Sequence, residues 1–478
     1  MSSGFRTFNP TQNAWNEEVY IRTSPEELDT KLNLLSEAQS EFGRLTVIRR
    51  ADFLQAIHRS LSKGKEQIKL FYLKESGLSS NRFETEWKRT LDTIEIFVQQ
   101  LRDESFQKPK SQTFPADSVS IQKVTFPIGP VLVLGSSNFP LAYSTAGGDT
   151  ISALAAGCCV VVKAHPMHAG TSTIVASCIM EARKEMNLPE GIFIHVLDDG
   201  IELAQQLCSD ERIQAVGFTG SFKGGKALMD IANARKNPIP VFAEMGSANP
   251  VIILEDFNLE KCTSTAEKLA NSICTDAGQF CTKPGILFIP KGEVGNSFTE
   301  SLKSFVAKTE IVPMLHPDIH RNFEKRKSEV AAIPEVKFTS SSQEQKGIEG
   351  KWTIAETSLN NFLQYPTLHE EVFGPFSLIV TYRDAEELKK GISILSGQLT
   401  GSIFFEKQSD LMEECMQILT QKVGRMILND VPTGVRVVEA MHHGGPFPAS
   451  SDVRFTAVGP DSIFRFQKYV SIQQKNRT

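Results

Sequence analysis

Long apolar runs and a strong excess of charge of one sign are both missing from this chain of 478 residues. Its longer apolar runs, such as Val131–Leu134 and Cys158–Val162, are far too short to span a bilayer. The segment Met1–Pro10 has no basic start followed by an apolar run, so we expect no secretory signal. A net charge of −5 gives no reason to expect nucleic acid or an acidic membrane as a partner.

Cysteines with the spacing of a metal site are also missing. The eight cysteines include no CxxC pair and no cluster with histidine, so the sequence predicts no metal site. They also lack the spacing of a disulfide framework. A reducing cytoplasm is therefore the expected setting, and there a free thiolate can act as a nucleophile.

The first hundred residues are predicted to be mainly helical. Ser24 followed by Pro25 is typical of a helix start, with a capping hydroxyl and a proline at the first helical position. Apolar residues then recur at helical spacing over 53–61 and 83–101. The segment 118–126 alternates between apolar and polar residues, which indicates an exposed strand or ribbon.

From Val131 onward, short apolar runs alternate with helical segments, which predicts α/β structure with parallel sheets covered on both faces. The first series of runs comprises 131–134, 158–162, 192–196, 213–218 and 239–243. A second series starts near Asn249 and comprises 250–254, 285–290, 376–382, 401–405 and 424–428. The tail 469–473 is predicted to add one more short strand.

Polar residues or glycines follow four strands of the first series. They are Asn138, Lys163, the pair Gly220 and Ser221, and Glu244. Because parallel α/β sheets place their sites at the carboxyl ends of the strands, we expect these residues to converge on one site.

A short cysteine motif, Gly278-Gln279-Phe280-Cys281-Thr282, accompanies these strand ends. Together with Ser137–Pro140, Phe218–Ser221 and Phe242–Gly246, it resembles the aldehyde dehydrogenase superfamily over nearly the whole chain. The segments 424–429, 431–435 and 443–449 are similar to one subgroup of that family. This subgroup contains NADP-preferring 2-oxoglutarate-semialdehyde (2,5-dioxopentanoate) dehydrogenases and a fatty aldehyde dehydrogenase.

The resemblance implies an aldehyde dehydrogenase-like architecture. A Rossmann-type cofactor domain would comprise residues 1–112 and 128–245, and an α/β catalytic domain would comprise 246–464. A small β oligomerisation arm would comprise 113–127 and 465–478. The resemblance further implies a homodimer or homotetramer, and exposed edge strands that need partners are the physical reason.

In this resemblance Cys281 is the nucleophile, and Lys283 close by would favour its thiolate form. Asn138 and the backbone N–H of Cys281 would form an oxyanion hole. Glu244 would activate the water that hydrolyses the thioester. In isolation each residue also has a simpler explanation: a buried inert cysteine, a turn asparagine, or a strand-end glutamate in a salt bridge.

No GxGxxG motif follows a strand, so the common dinucleotide fingerprint is missing. The match is instead to Gly220-Ser221 followed by Gly225 at the head of a helix, where backbone N–H groups can bind pyrophosphate. By resemblance, Lys163 contacts the adenine ribose. The loop after Lys163 carries His165 and no acidic residue, which predicts NADP over NAD, with NAD possible.

The segment around Glu371 and Phe373 matches the part of the family that holds the nicotinamide half of the cofactor. A semialdehyde with a distal carboxylate needs a cation, and Arg436 or Arg454 could supply it. Phe139 could line the aldehyde tunnel. Core packing or a surface salt bridge would explain these three side chains equally well.

The resulting functional prediction is NADP-dependent oxidation of a small-molecule aldehyde through a cysteine thiohemiacetal and thioester. The expected reaction converts 2,5-dioxopentanoate to 2-oxoglutarate. A broad-specificity or long-chain fatty aldehyde dehydrogenase is the alternative within the family. A catalytically silent binding or structural subunit is the alternative outside it.

Overall fold

The computed structural model describes residues 4–103, 106 and 109–475. Its N-terminal part holds two small β ribbons and three long helices. Each helix begins at a capping hydroxyl, since Ser24, Thr46 and Ser79 each accept a backbone N–H three residues on. The predicted helix start at Ser24 and Pro25 is confirmed. The elements are β1 (Gly4–Phe5), β2 (Phe8–Asn9), β3 (Ala14–Trp15), β4 (Tyr20–Ile21), α1 (Pro25–Phe42), α2 (Val47–Ser76) and α3 (Ser80–Arg102).

The next part of the chain contains two paired strands and then a series in which strands and helices alternate. The elements are β5 (Lys110–Phe114), β6 (Val119–Pro127), β7 (Val131–Leu134), α4 (Gly148–Ala156), β8 (Val160–Lys163), α5 (Ala169–Glu185), β9 (Phe193–Val196), α6 (Glu202–Ser209), β10 (Ala215–Thr219), α7 (Phe222–Ala234) and β11 (Val241–Glu244). Strands β7 to β11 form a parallel sheet in the order β11-β10-β7-β8-β9.

The register of this first sheet brings the predicted site residues to one edge. Lys163 pairs with Leu134, Phe218 also pairs with Leu134, and Glu244 pairs with Thr219. The carboxyl ends of the strands therefore lie side by side. The strands are apolar and buried because helices α1 to α7 supply side chains to the same hydrophobic core.

The remaining chain builds a second and larger sheet. Its elements are β12 (Val251–Ile253), α8 (Leu259–Cys274), β13 (Ile286–Pro290), α9 (Glu293–Lys308), α10 (Pro317–Ala331), β14 (Lys337–Ser340), β15 (Thr353–Ser358), α11 (Leu359–Gln364), β16 (Phe376–Tyr382), α12 (Ala385–Ser393), β17 (Gln398–Phe404), α13 (Asp410–Thr420), β18 (Val423–Leu428) and β19 (Gln467–Lys475). The sheet order is β14-β15-β16-β13-β12-β17-β18, and within it β14 alone runs antiparallel to its neighbour.

A third sheet is antiparallel and has the order β19-β6-β5. It corresponds to the predicted arm, although β5 begins at Lys110 rather than at residue 113. Residues 476–478 of that arm and residues 1–3 of the first domain lie outside the described residues. Every residue of β19 after Gln467 is exposed. Its role in oligomerisation and the domain boundaries stay predictions.

The C-terminal segment returns from the second sheet to the first. Ile463 and Phe466 are buried in the core of the first sheet. Ser450 forms an isolated antiparallel bridge with Glu244, at the end of β11. Residues 443–466 therefore close the space between the two large sheets, and this closure positions the site described below.

Several strand boundaries differ from the prediction by one or two residues. The largest consequence concerns Cys158 and Cys159, which precede β8 instead of starting it. Helix α4 ends at Gly157, whose φ of 92° is favourable for glycine, and the two cysteines connect this cap to the strand. Both thiols are buried nonetheless. Among the described residues, no helix is long and apolar enough to cross a membrane.

Candidate active site

A cavity of about 750 Å³ lies at the carboxyl ends of the first sheet and reaches the second. It is lined by predicted residues from both parts of the chain, namely Asn138, Lys163, His165, Gly220, Ser221, Glu244, Cys281, Glu371 and Phe373. The predicted convergence of strand ends on one space is therefore observed. Gly225 lies just behind this wall, where a Cβ atom would come within 2.6 Å of Met245 Sδ.

The loop that carries Cys281 has a tightly constrained backbone. Asp276 and Ala277 both have positive φ, at 50° and 54°, and Gly278 follows at 65°. A Cβ atom on Gly278 would lie 2.4 Å from the carbonyl oxygen of Gly374, so the close approach requires glycine. Asn249 Nδ2 donates to the Cys281 carbonyl oxygen at 2.8 Å and holds the loop from the other side.

Cys281, His443 and Glu244 form a chain of contacts. His443 Nε2 lies 3.8 Å from Cys281 Sγ and 3.1 Å from Glu244 Oε1. The imidazole is completely buried, and Glu244 is nearly so. Their three ligand atoms lie within 4.8 Å of one another. The sequence predicted no metal site, but a thiolate, an imidazole and a carboxylate at this spacing are also a set that zinc can bind.

The thiol of Cys281 is held in its protonated form by its surroundings. Burial raises the pKa of Cys281, and the Glu244 carboxylate raises it further, whereas the charges of Arg89 and Arg425 act in the opposite direction. The predicted effect of Lys283 on this thiol is not observed. Its ammonium group donates to the carbonyl oxygens of Val372 and Phe376.

Asn138 lines the cavity beside Cys281. Its amide nitrogen donates to the Gln279 carbonyl oxygen at 2.8 Å. A side-chain amide has two N–H donors, so the second remains for a substrate oxygen. The contact fixes the orientation of the amide relative to the cysteine loop.

Arg82 joins the asparagine loop to the cysteine loop. Its Nε donates to Asp276 Oδ2 at 2.8 Å, and its Nη2 contacts the Asn138 carbonyl oxygen at 3.4 Å. Its Nη1 lies 3.0 Å from Glu86, which in turn accepts the backbone N–H groups of Leu141 and Ala142. One largely buried arginine therefore positions both loops.

At the far end of the cavity, Lys163 Nζ donates to the Asp198 carbonyl oxygen at 2.8 Å. Asp199 lines the same space, and Arg22 binds its carboxylate at 2.6 Å. Asp199 follows strand β9 and not the loop after Lys163, so the prediction of NADP from that loop did not include its charge. His165 is half-buried in the cavity wall, and desolvation holds its pKa well below the usual value, so it is neutral and adds no positive charge.

Ser221 Oγ accepts the Gly224 N–H and caps helix α7 at the cavity wall. Lys223, in the first turn of this helix, also lines the cavity. Glu371 lies against Gly246, where a Cβ atom would come within 2.3 Å of its carboxylate. Burial raises the pKa of Glu371 to about 7, and the nearby positive charge of Lys283 acts in the opposite direction.

The predicted substrate residues have different environments. Phe139 is buried in an aromatic cluster with Tyr143 and Phe280, at ring distances of 5.1 and 5.6 Å. Arg436 is exposed. Arg454 is also exposed, and its guanidinium binds Asp452 two residues away. Neither arginine lines the cavity.

A sequence profile described as "Aldehyde dehydrogenase family" matches residues 2–447. The chain belongs to the aldehyde dehydrogenase family. Two similar relatives carry the name alpha-ketoglutaric semialdehyde dehydrogenase. That of Azospirillum brasilense is 36% identical and covers 98% of this chain and 91% of its own length. That of Acinetobacter baylyi is 34% identical and covers 96% of this chain and 88% of its own length.

Solved structures of the family have the same fold. Betaine aldehyde dehydrogenase from Staphylococcus aureus, in complex with NAD⁺, superposes with a TM-score of 0.84 at 19% identity and covers 100% of this chain and 95% of its own. Glyceraldehyde-3-phosphate dehydrogenase GapN from Methanocaldococcus jannaschii, complexed with NADP, gives 0.83 at 18% identity and covers 99% of both chains. The predicted family and fold are confirmed.

Sequence reasoning missed several residues that surround the thiol, and His443 is the clearest example. It lies 162 positions after Cys281 in the chain. The segment 443–449 contributed to the resemblance, but no role was inferred for its histidine. Tyr143, Arg82 and Arg89 lie outside the motifs, and no role was inferred for Arg425 in the segment 424–429, so only the folded chain brings these residues together.

Proposed function

We propose that this chain oxidises 2,5-dioxopentanoate (2-oxoglutarate semialdehyde) to 2-oxoglutarate, with NADP as the preferred electron acceptor. The observation that carries the chemistry is the single cavity lined by Cys281, Asn138, Glu244 and the predicted cofactor residues. The choice of substrate is supported by the two relatives named for this semialdehyde, at 36% and 34% identity.

The residues of the cavity fit a dinucleotide. Helix α7 begins at the cavity wall, and its first backbone N–H groups favour a phosphate. Gly225 allows the helix to pack closely on Met245. Lys163 and Lys223 supply positive charge, and Glu371 offers a carboxylate to a ribose. When bound, the nicotinamide supplies the oxidising power by accepting a hydride.

In the first half of the reaction, Cys281 attacks the aldehyde carbon. The proton of its thiol passes to His443, because the imidazole Nε2 contacts the sulfur and also contacts Glu244. A carbon–sulfur bond forms and the carbonyl oxygen becomes negative. The second N–H of Asn138 and the backbone N–H of Cys281 stabilise this charge.

In the second half, a thioester on Cys281 must be hydrolysed. Glu244, with His443 beside it, accepts a proton from a water molecule as that water attacks the thioester carbon. The carbon–sulfur bond breaks, the thiolate of Cys281 leaves, and the carboxylate product is released. Overall, aldehyde, water and oxidised cofactor yield carboxylate, reduced cofactor and two protons.

A substrate panel tests the proposed function. We expect kcat/KM for 2,5-dioxopentanoate to exceed that for pentanal, hexanal and decanal by at least about 30-fold. Cys281→Ala should abolish oxidation, while Cys415→Ala, which alters a buried thiol outside the cavity, should leave it intact. A rate that rises steadily with aldehyde chain length would instead support a fatty aldehyde dehydrogenase.

The preference for NADP is supported by the two lysines of the cavity. Asp199 would oppose a phosphate, but Arg22 compensates its charge. We expect Lys163→Met to raise KM for NADP about tenfold and to change KM for NAD much less. Lys226→Met, which removes a lysine of α7 that is paired with Asp230, is the matched control. A wild-type kcat/KM that is higher with NAD would refute the preference.

We further propose a homodimer or homotetramer that associates through the antiparallel sheet of β5, β6 and β19, in the cytoplasm. Exposed Phe126, Tyr469 and Ile472 on its long strands support this assignment. The eight free cysteines agree with a reducing compartment. Light scattering should give a multiple of the 52.9 kDa chain mass, and Ile472→Lys should shift it towards monomer.

A further inference from the structure

Two arginine side chains act on the Cys281 thiol without lining the cofactor cavity. Arg89 lies on α3 and Arg425 lies on β18. Neither is part of the cavity wall, and yet both charges lower the pKa of the thiol. Both charges therefore act on the reacting sulfur from positions outside the lining of the cofactor cavity.

A chain of contacts connects Arg89 to the nucleophile. Its Nη2 donates to Tyr143 Oη at 2.6 Å, and its guanidinium lies 5.1 Å from the centre of the Tyr143 ring. The Tyr143 ring lies 6.4 Å from the ring of His443, whose Nε2 contacts Cys281 Sγ. The Tyr143 hydroxyl accepts from Arg89 and keeps its own hydrogen to donate.

Arg425 is close to this group and incompletely satisfied. Its Nη2 donates to the Pro432 carbonyl oxygen, and its buried Nε has no partner among the described residues. Burial lowers its pKa, and the charge of Arg89 acts in the same direction, whereas the Cys281 and Tyr143 groups and the Asp430 carboxylate act in the opposite direction. A cation in this position is unfavourable unless an anion joins it.

A neighbouring arginine shows how carboxylates neutralise a largely buried cation in this protein. Arg82 lies against the same aromatic cluster and binds both Glu86 and Asp276. In the part of the chain that the structure describes, Arg89 and Arg425 have no carboxylate within ion-pair distance. Two cations that act on the same thiol and have no ion-pair partner in that part of the chain indicate a binding site for an anionic group.

We propose that Arg89 and Arg425 together bind the distal carboxylate of the substrate, with the Tyr143 hydroxyl as an additional donor. This assignment rests on the proposed function, because it requires an aldehyde with a second charged end. It replaces Arg436 and Arg454, because both are exposed and Arg454 is already paired with Asp452.

Apolar side chains connect the cysteine loop to Arg89. Phe139, Tyr143 and Val458 form a buried apolar cluster, and Phe280 and Val435 pack against it. The Val435 carbonyl oxygen also accepts from Arg89 Nη1 at 3.2 Å, which ties the apolar wall to the cation. The site therefore has a reactive end, an apolar middle and a cationic end.

Comparison of a charged and a neutral aldehyde tests the assignment. We expect Arg89→Met and Arg425→Met to lower kcat/KM for 2,5-dioxopentanoate about 30- to 100-fold and that for pentanal less than about threefold. Arg89→Lys should recover part of the loss. Arg102→Met, at the end of the same helix and paired with Asp52, is the matched control.

Alkylation of Cys281 gives a second readout that needs neither turnover nor cofactor. The ratio of its rates with iodoacetate and iodoacetamide reports attraction of an anion to the thiol, and any change in thiol pKa cancels in the ratio. We expect both arginine variants to lower this ratio about fivefold to tenfold relative to wild type, with the site of modification assigned by mass spectrometry.

The assignment is overturned if both methionine variants keep the wild-type preference for 2,5-dioxopentanoate over pentanal, or if kcat/KM falls equally for the two aldehydes. It is also overturned if Arg436→Met or Arg454→Met causes the selective loss of activity with 2,5-dioxopentanoate. Failure of the proposed function has a different signature, because wild type would then show no preference for 2,5-dioxopentanoate over pentanal. In that case the alkylation ratio decides: a lowered ratio supports an anion site for another acidic aldehyde, and an unchanged ratio refutes it.

Discussion

Replacement of Glu244 by glutamine should increase the rate at which Cys281 is alkylated and should decrease the steady-state rate of aldehyde oxidation. The carboxylate raises the pKa of the Cys281 thiol, and the two groups lie within 4.8 Å of each other. At an effective dielectric constant near 20, one charge at this distance contributes about 3 kcal/mol, or about two pKa units. Glu244→Gln keeps the shape and removes the charge, so it should increase the thiolate fraction near neutral pH about 100-fold.

A thiolate of lower pKa is also a weaker nucleophile, with a dependence of about half a logarithmic unit per pKa unit. The net expectation is therefore alkylation of Cys281 by iodoacetamide that is about tenfold faster at pH 7.5. Glu371→Gln is the graded control, because the charge of Glu371 acts on the same thiol less strongly than that of Glu244. Glu371→Gln should therefore increase the alkylation rate of Cys281 by a smaller factor than Glu244→Gln does.

Turnover should respond in the opposite direction. Without its general base, the Glu244→Gln variant should form the thioester once and hydrolyse it about 10²- to 10⁴-fold more slowly. Stopped-flow absorbance at the wavelength of the reduced cofactor should show a full first turnover followed by a very slow steady state. Slower alkylation in the variant, or loss of the first turnover together with the steady state, would refute the roles assigned to this carboxylate.

Three further predictions follow from the same site. Micromolar Zn²⁺ should inhibit the enzyme by binding the thiol, imidazole and carboxylate, with activity restored by EDTA, and His443→Gln should weaken the inhibition at least tenfold in an activity titration. Arg82→Met should cost about 3 kcal/mol in urea unfolding and should also lower kcat, since Asp276 loses its partner; full activity would contradict the bridging role. Burial raises the pKa of Glu371 to about 7 in the folded chain, so this group binds a proton more tightly when folded, and its contribution should stabilise wild type as pH falls from about 8 to 5. The unfolding free energy of Glu371→Gln should lack about 2 kcal/mol of that rise, and parallel pH profiles of the two proteins would refute the assignment.

Much of the fold was accessible from sequence because its strands are short, apolar and separated by helices. The register of the first sheet then follows, since strands that end in Lys163 and Glu244 place these residues at one edge. The boundaries near Cys158 were less predictable. Cys158 and Cys159 lie between Gly157, which has a left-handed backbone conformation, and the strand that starts at Val160. They are apolar like the strand residues, so composition alone does not show where the strand begins.

The environment of the thiol was accessible only in part. Cys281, Glu244 and Asn138 belong to compact motifs, whereas His443 reaches the thiol from a distant segment of the chain. Local charge reasoning failed for Lys283, because its side chain points to the carbonyl oxygens of Val372 and Phe376 rather than to Cys281. Sequence proximity predicts electrostatic influence only where the direction of the side chain is also known.

The late position of His443 also affects how the protein is made. Its imidazole is buried between Cys281 and Glu244, and the bridge between Ser450 and Glu244 holds the same segment against the first sheet. A chain that is still being synthesised, or is cut before this segment, contains the cysteine and the glutamate without the group that joins them. The order of the sequence thus delays assembly of this chain of contacts until the segment around His443 has been synthesised and has folded against the first sheet.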